Sequence, residues 1–291
     1  MSIQPYSRSF QVTIAGILFL LCLWVTACDE VFDPYQPNDQ YHYSIYGYLD
    51  ATADTQWVRI MPVREDFTLD PDHPIDATVM LEHVESGHTV TMKDTLISYA
   101  HGVYAWNFWT DMEIRPEETY RLTATRTDGL LSRAQVRVPP DFPVPTVRMT
   151  ENPRVVTIKG VEKLADAKVV YSGVEHTGGL FRVIFPHLED SLHLETGGYQ
   201  VFIDTRRHNL ILDAISVPIR DRQIFIASAG PEYHNFGLID EKIIALPEGI
   251  SNIENGIGYL AGIVSKTIPF ESCHDEETRQ LIPCEPETPV W

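Results

Sequence analysis

From Tyr41 onward, apolar and polar side chains alternate with a period of two. In ETYRLTATR, Tyr120, Leu122 and Ala124 alternate with Thr119, Arg121, Thr123 and Thr125; in SRAQVRV, Ala134, Val136 and Val138 alternate with Arg133, Gln135 and Arg137. Successive side chains of a strand point to opposite faces, so the pattern predicts half-buried strands of antiparallel sheets. The same reading predicts strands at Tyr43 to Leu49, Gln56 to Met61, Ala77 to His83, Thr89 to Met92 and Val103 to Trp109. Seven short strands in roughly 100 residues predict an immunoglobulin-like or fibronectin-like β-sandwich over residues 41–138.

VPPDFPVPT then places four prolines in nine residues. Proline removes a backbone donor and holds the chain extended, so residues 139–146 are expected to form a linker between domains. A second β-rich domain is expected over 147–270, with strands at Arg154 to Lys159, Ala167 to Ser172, Leu180 to Phe185, Tyr199 to Ile203, Gln223 to Ala227 and Tyr259 to Val264. Gly178-Gly179 and Gly197-Gly198 mark turns. In SVPIRDRQIFIASAG the apolar positions Ile219, Ile224 and Phe225 do not alternate cleanly, and a short helix is the alternative there. The expected fold class is all-β, two β-sandwich-like domains, with no internal repeat.

The alternation is absent from the first forty residues. Val12 to Ala27 carries no charge, and Arg8 is the one charged side chain before it, which is the layout of a signal peptide over 1–27. A spanning helix needs about 20 apolar residues, more than this run supplies before it ends in small side chains. Val25-Thr26-Ala27-Cys28 resembles the bacterial lipobox, so Cys28 is the expected lipidation site, carrying palmitate-type acyl chains. Each buried CH₂ contributes about 0.8 kcal/mol to membrane attachment. CDEVFDPYQPND, with four acids and two prolines, reads as an acylated tether over 28–40. Asp after the lipidated cysteine accompanies inner-membrane retention in enterobacteria, whereas in Bacteroidota an acidic run there resembles a surface-export signal.

Charge narrows the partners. Asp plus Glu number 41 against 22 Lys plus Arg, a net charge of −19, and loss of Arg8 with the leader makes the remainder more negative still. Such a surface repels nucleic acid and anionic headgroups, so no nucleic-acid partner is expected. Of the four cysteines, Cys22 leaves with the leader and Cys28 is lipidated. Cys273 and Cys284 remain, and in an oxidising compartment they are expected to form a disulfide that closes the tail 271–291, contributing about 2 to 3 kcal/mol. A metal site on these two thiols and His274 lacks a fourth ligand.

Candidate chemistry is sparse. In VYAWNFW, Tyr104, Trp106 and Phe108 fall on one face and Ala105, Asn107 and Trp109 on the other. One set serves the core; the other reading is a platform that stacks sugar or peptide, with Trp106, Phe108 and Trp109 as candidate ligand contacts. His193 and Glu195 in HLEDSLHLE share a strand face, with His187, Glu189 and Asp190 on the approach, and are the candidate metal ligands; two such residues do not complete a site. Asp70, Asp72 and Asp76 in DPDHPID are oxygen ligands of the calcium type in what is usually an ordinary turn. Gly256, Gly258 and Ala261 match the dinucleotide fingerprint in spacing, but the β-branched GIVSKTIPF that comes next is no helix N-terminus. No G-x-S-x-G, H-E-x-x-H, P-loop or EF-hand motif is present, and no cofactor is implied.

Together the lipobox, the YSIYGYLD strand followed by QWVRIMPVRE, ETYRLTAT before the proline segment and, above all, SNIENGIGYLAGI resemble domain-of-unknown-function family 4249 of Bacteroidota-type cell-envelope lipoproteins, over about Tyr41 to Ile263. The tail with Cys273 and Cys284 departs from that pattern. The resemblance implies a lipid-anchored protein at the outer membrane or cell surface of a Gram-negative bacterium, often encoded beside TonB-dependent outer-membrane transporters, and brings no catalytic residues. The expected function is a non-enzymatic accessory lipoprotein that binds ligand or docks on such a transporter. The alternatives are an envelope hydrolase, which requires two or three of His187, Asp190, His193 and Glu195 to converge in a cleft, and an adhesin-like structural protein.

Overall fold

A computed structural model describes residues 40–63, 74–98, 104–149, 152–174, 179–215, 219–234, 251–270, 272–274 and 281–283. The leader, Cys28, nearly all of the tether, Asp70, Asp72 and Cys284 lie outside the described residues. The first half runs β1 (Tyr43–Asp50), β2 (Gln56–Pro62), β3 (Thr78–His83), β4 (His88–Thr91), β5 (Lys93–Ser98), β6 (Tyr104–Thr110), β7 (Thr119–Thr125) and β8 (Leu131–Arg137). The second runs β9 (Thr146–Arg148), β10 (Arg154–Ile158), β11 (Leu164–Val174), β12 (Leu180–Pro186), β13 (Ser191–His193), β14 (Tyr199–Ile203), α1 (Thr205–Ile215), β15 (Ile219–Ala229), β16 (Ile253–Glu254), β17 (Gly256–Pro269), β18 (Ser272–His274) and β19 (Leu281–Pro283).

The fold is all-β and sandwich-like, as the alternation predicts. Within SVPIRDRQIFIASAG, Ile219–Ala229 is strand rather than helix: Ile224, Ile226 and Ser228 face the core, and Ala227 and Ala229 are buried on the opposite face, so cover on both sides blurs the alternation. The helix lies just upstream, in TRRHNLILDAI. Asp204 Oδ1 accepts from the amide of Arg206 at 3.0 Å and Asn152 Oδ1 from that of Thr205 at 3.1 Å, which satisfies the first free donors. His208 and Leu212, four residues apart, turn one helical face inward.

One eight-stranded sheet, in the order β12-β11-β15-β17-β1-β2-β6-β5, organises the molecule. Its inner face carries Tyr43, Ile45, Leu49, Val58, Ile60, Leu260, Val264 and Ile268. Val79, Leu81, Leu122 and Val136 of a five-stranded sheet (β16-β8-β7-β3-β4) and Val156, Ile158, Val201 and Ile203 of a four-stranded sheet (β13-β14-β10-β9) pack into the same core. Strands from both sides of residues 139–146 therefore share one sheet, and Asp39–Trp291 forms a single compact unit. The proline segment is a strap fixed to that sheet: Phe142 is buried, and Lys266 Nζ meets Asp141 Oδ1 at 2.9 Å and rests over the Phe142 ring.

The joint is the parallel pairing of β1 with β17, in register from Tyr43 with Gly256 to Asp50 with Ile263. At Gly258 φ is +111°, and a Cβ there would lie 2.2 Å from the carbonyl oxygen of Ile45. Only glycine lets the two strands approach in this way. SNIENGIGY builds the turn that feeds this joint. Asn252 donates from Nδ2 to Leu260 O at 2.6 Å and accepts from Leu260 N at 3.0 Å, and Ser132 Oγ donates to Asn255 O at 2.6 Å, tying the five-stranded sheet to the eight-stranded one. Gly256 and Gly258 thus lie in a strand, and the dinucleotide spacing is a consequence of close backbone packing.

Candidate functional site

The outer face of the eight-stranded sheet collects aromatic rings. The alternation that buries Val58 and Ile60 turns Trp57 outward, and the one that buries Ile45 and Leu49 turns Tyr46 and Tyr48 outward. Cross-strand register then sets Tyr48 opposite Trp57, Trp57 opposite Trp109, and Trp109 opposite Lys93, so one row crosses β1, β2, β6 and β5. Tyr46, Arg59, Asn107 and Thr95 form the adjacent row. Tyr46, Tyr48 and Trp57 keep 51%, 47% and 45% of their surface in solvent. The Trp57 and Trp109 indoles lie 6.0 Å apart and 30° from parallel, with Lys93 Nζ 4.3 Å from the Trp109 ring centre. Half-exposed aromatics held side by side leave apolar surface uncovered, which marks interaction sites in soluble domains.

A wall borders this platform. Tyr259 stacks edge-on against Tyr48 at 6.5 Å and against Tyr233 at 6.1 Å. Tyr233 is anchored by its hydroxyl to Ala165 O at 2.8 Å, and Lys163 Nζ holds the Pro231 carbonyl at 2.6 Å. Burial raises the phenol pKa of Tyr48 and pushes that of Tyr233 up to about 12, so both stay protonated hydrogen-bond donors at neutral pH.

Of the three aromatics proposed from VYAWNFW, Trp106 and Phe108 face the core, at 8% and 3% exposure, and Trp109 stands on the outer face. Its partners there, Trp57, Tyr48 and Tyr46, escape the sequence reading because they reach Trp109 only through the pairing of β2 with β6 and β1. Alternation alone does assign each of them an outward direction.

A second grouping is buried at the far end of the sheet. His187 Nδ1 donates to Asp190 Oδ2 at 2.9 Å, His208 Nε2 donates to His187 Nε2 at 2.9 Å, and the Tyr171 hydroxyl donates to His208 Nδ1 at 2.8 Å, the tautomers being set by the carboxylate at one end. The chain joins the loop after β12, α1 and β11, and the His208 ring stacks on Phe185 at 4.0 Å. Burial, then the neighbouring His187, depresses the His208 pKa to about 4, while burial raises that of Tyr171 to about 12. All four imidazole nitrogens are engaged within the protein. The adjoining cleft, about 390 Å³ and lined by Phe185, His187, Asp190, Arg207 and Ile211, meets histidines already satisfied by one another.

Two of the four residues named by the hydrolase reading, His187 and Asp190, therefore meet at a cleft, the smallest convergence that reading asks for, and no local sequence pattern signals that His208 and Tyr171 join them. His193 and Glu195 are exposed elsewhere; His193 packs edge-on to Tyr199 at 5.0 Å beside a cleft of about 730 Å³. Asp76 accepts from Thr127 Oγ1 at 2.7 Å and from its amide at 3.2 Å, an ordinary turn contact. Among the described residues no three His, Cys, Asp or Glu side chains gather as a metal set, and no helix is long and apolar enough to cross a membrane. Cys273 sits on β18 in register with Ile282; Cys284 and the proposed disulfide lie outside the described residues.

No family model matches the sequence, and no curated protein matches it. Pullulanase from Anoxybacillus sp. LM18-11 is among the solved structures that match, with 9% identity over 64% of this chain and a TM-score of 0.23, a likeness that carries no argument. The chain spans 24% of that structure's length.

Proposed function

We propose that this chain is a cell-envelope lipoprotein, anchored through Cys28 at the outer membrane or surface of a Gram-negative bacterium, that acts by binding rather than catalysis. It serves a TonB-dependent outer-membrane transporter as an accessory component, and the aromatic face of the eight-stranded sheet holds its ligand. The observation that carries this reading is the half-exposed set Tyr46, Tyr48 and Trp57, a costly surface to leave in water unless something covers it. The lipobox-like Val25-Thr26-Ala27-Cys28, the acidic tether and the resemblance to family 4249 support the anchoring and the transporter partner.

The partner is tested by affinity capture of the full-length lipidated chain from detergent-solubilised outer membranes. Recovery of an outer-membrane barrel is the expected result, and repeated recovery of none overturns the transporter claim. The anchor is tested by Cys28→Ser, which should abolish fatty-acid labelling and release the protein into the soluble fraction.

A further inference from the structure

If the aromatic face is a binding surface, as proposed above, its geometry also restricts the class of ligand. β1, β2 and β6 are interior strands, each hydrogen-bonded on both sides in the order β17-β1-β2-β6-β5. Their backbone is spent, so an extended peptide lying over these three strands cannot add as a strand; the sheet edge on this side is β5, beyond the rings. Recognition must come from side chains alone. These provide aromatic rings in a row, one per strand, stepping at roughly the 4.8 Å strand spacing; Tyr48 and Trp57 keep about half of their surface in solvent, and Trp109 is flanked by Trp57 and Lys93.

Charge excludes further classes. The chain carries a net −19, which disfavours anionic ligands, and Lys93 over the Trp109 ring disfavours a cation at the same place. Polar groups are interleaved with the rings: the hydroxyls of Tyr46 and Tyr48, and the Arg59, Thr95 and Lys93 side chains of the two rows. A purely hydrocarbon ligand would cover those groups without bonding them, at a cost of about 1 to 3 kcal/mol for each that is fully desolvated. The ligand that fits has flat C–H faces for the negative π-surfaces and neutral donors and acceptors along its rim. That is a pyranose chain. We propose that Tyr46, Tyr48, Trp57 and Trp109 form a platform for a neutral glycan, its sugar rings stacked on the aromatic row and its hydroxyls bonded to the flanking polar side chains.

The test is calorimetric and tryptophan-fluorescence titration of the whole protein with cellohexaose, maltohexaose, xylohexaose and mannohexaose. At least one should bind saturably. For that glycan Trp57→Ala and Trp109→Ala should each lower affinity roughly tenfold, a loss of about 1.4 kcal/mol. Leu180→Ala, on the exposed far edge strand, should leave affinity unchanged. Failure of all four hexasaccharides to bind at millimolar concentration, or undiminished binding by a Trp57→Ala/Trp109→Ala double variant, overturns the inference. Barrel capture without glycan binding would remove the glycan and leave the accessory role; glycan binding without barrel capture would do the reverse.

Discussion

Trp57 with its neighbours and His208 with its neighbours are two gatherings of chemically capable side chains, and they direct that capability oppositely. The histidines point at one another: Asp190, His187, His208 and Tyr171 satisfy each other end to end and fasten α1 to the sheet. The aromatic row has its backbone locked and its side chains on the outer face of the sheet, with Tyr46, Tyr48 and Trp57 about half exposed. A buried polar group must be paired or it destabilises the fold, so an interior histidine is usually committed before any ligand arrives. An exposed ring on a rigid strand has no such commitment. The contrast accords with the proposal that the aromatic face, rather than the histidine chain, meets a ligand.

The widest blow to both regions should come from Gly258→Val, whose Cβ would strike the Ile45 carbonyl in the β1–β17 joint. A loss on the order of 4 kcal/mol or more is expected in urea unfolding, enough to abolish the folded form in a marginal domain. His208→Ala separates the two regions: it opens a cavity beside Phe185 and strands the Tyr171 hydroxyl and His187 Nε2, and should cost about 3 kcal/mol while folded protein retains its ligand affinity.

Acid should act on the same region. His208 has a folded pKa of about 4 against an ordinary 6.5, so the folded state binds fewer protons than the unfolded state between those values. Its contribution is complete above pH 6.5 and is lost as pH falls toward 4, on the order of 3 kcal/mol. Stability measured at pH 7 and pH 4.5 should fall less in His208→Gln than in the parent, and equal falls would show that this histidine carries no pH dependence. Trp57→Ala should lower stability by about 2 kcal/mol, less than full burial of the ring would imply, because nearly half of it is already in solvent. Leu180→Ala, at 88% exposure, should stay within about 0.5 kcal/mol of the parent.

How much of the fold is legible in the sequence depends on the range of the forces involved. Strand positions are local, and the alternation in ETYRLTATR and SRAQVRV marks β7 and β8 closely. α1 escapes that reading although His208 and Leu212 have helical spacing and Asp204 is a capping residue, because the few apolar positions in TRRHNLILDAI are too sparse a signal. Pairing order is not local. Nothing in YSIYGYLD announces that it lies parallel to GIGYLAGI, and that pairing places strands from both sides of the proline segment in one sheet. The same limit hides the site: Trp109 is visible as an outward ring, but its stacking on Trp57 depends on β2 meeting β6. His187 and Asp190 stand out together through their three-residue spacing, whereas His208 arrives from a separate element.

The division between a binding face and a structural chain is tested most directly by one paired titration. The glycan-binding affinity and the thermal midpoint are measured side by side in the parent, in Trp57→Ala/Trp109→Ala and in His208→Gln. The aromatic variant should lose affinity by tenfold or more while it remains folded at the titration temperature, and the histidine variant should keep its affinity at a lowered midpoint. Affinity lost in His208→Gln and kept in the tryptophan variant would contradict the assignment of the two regions.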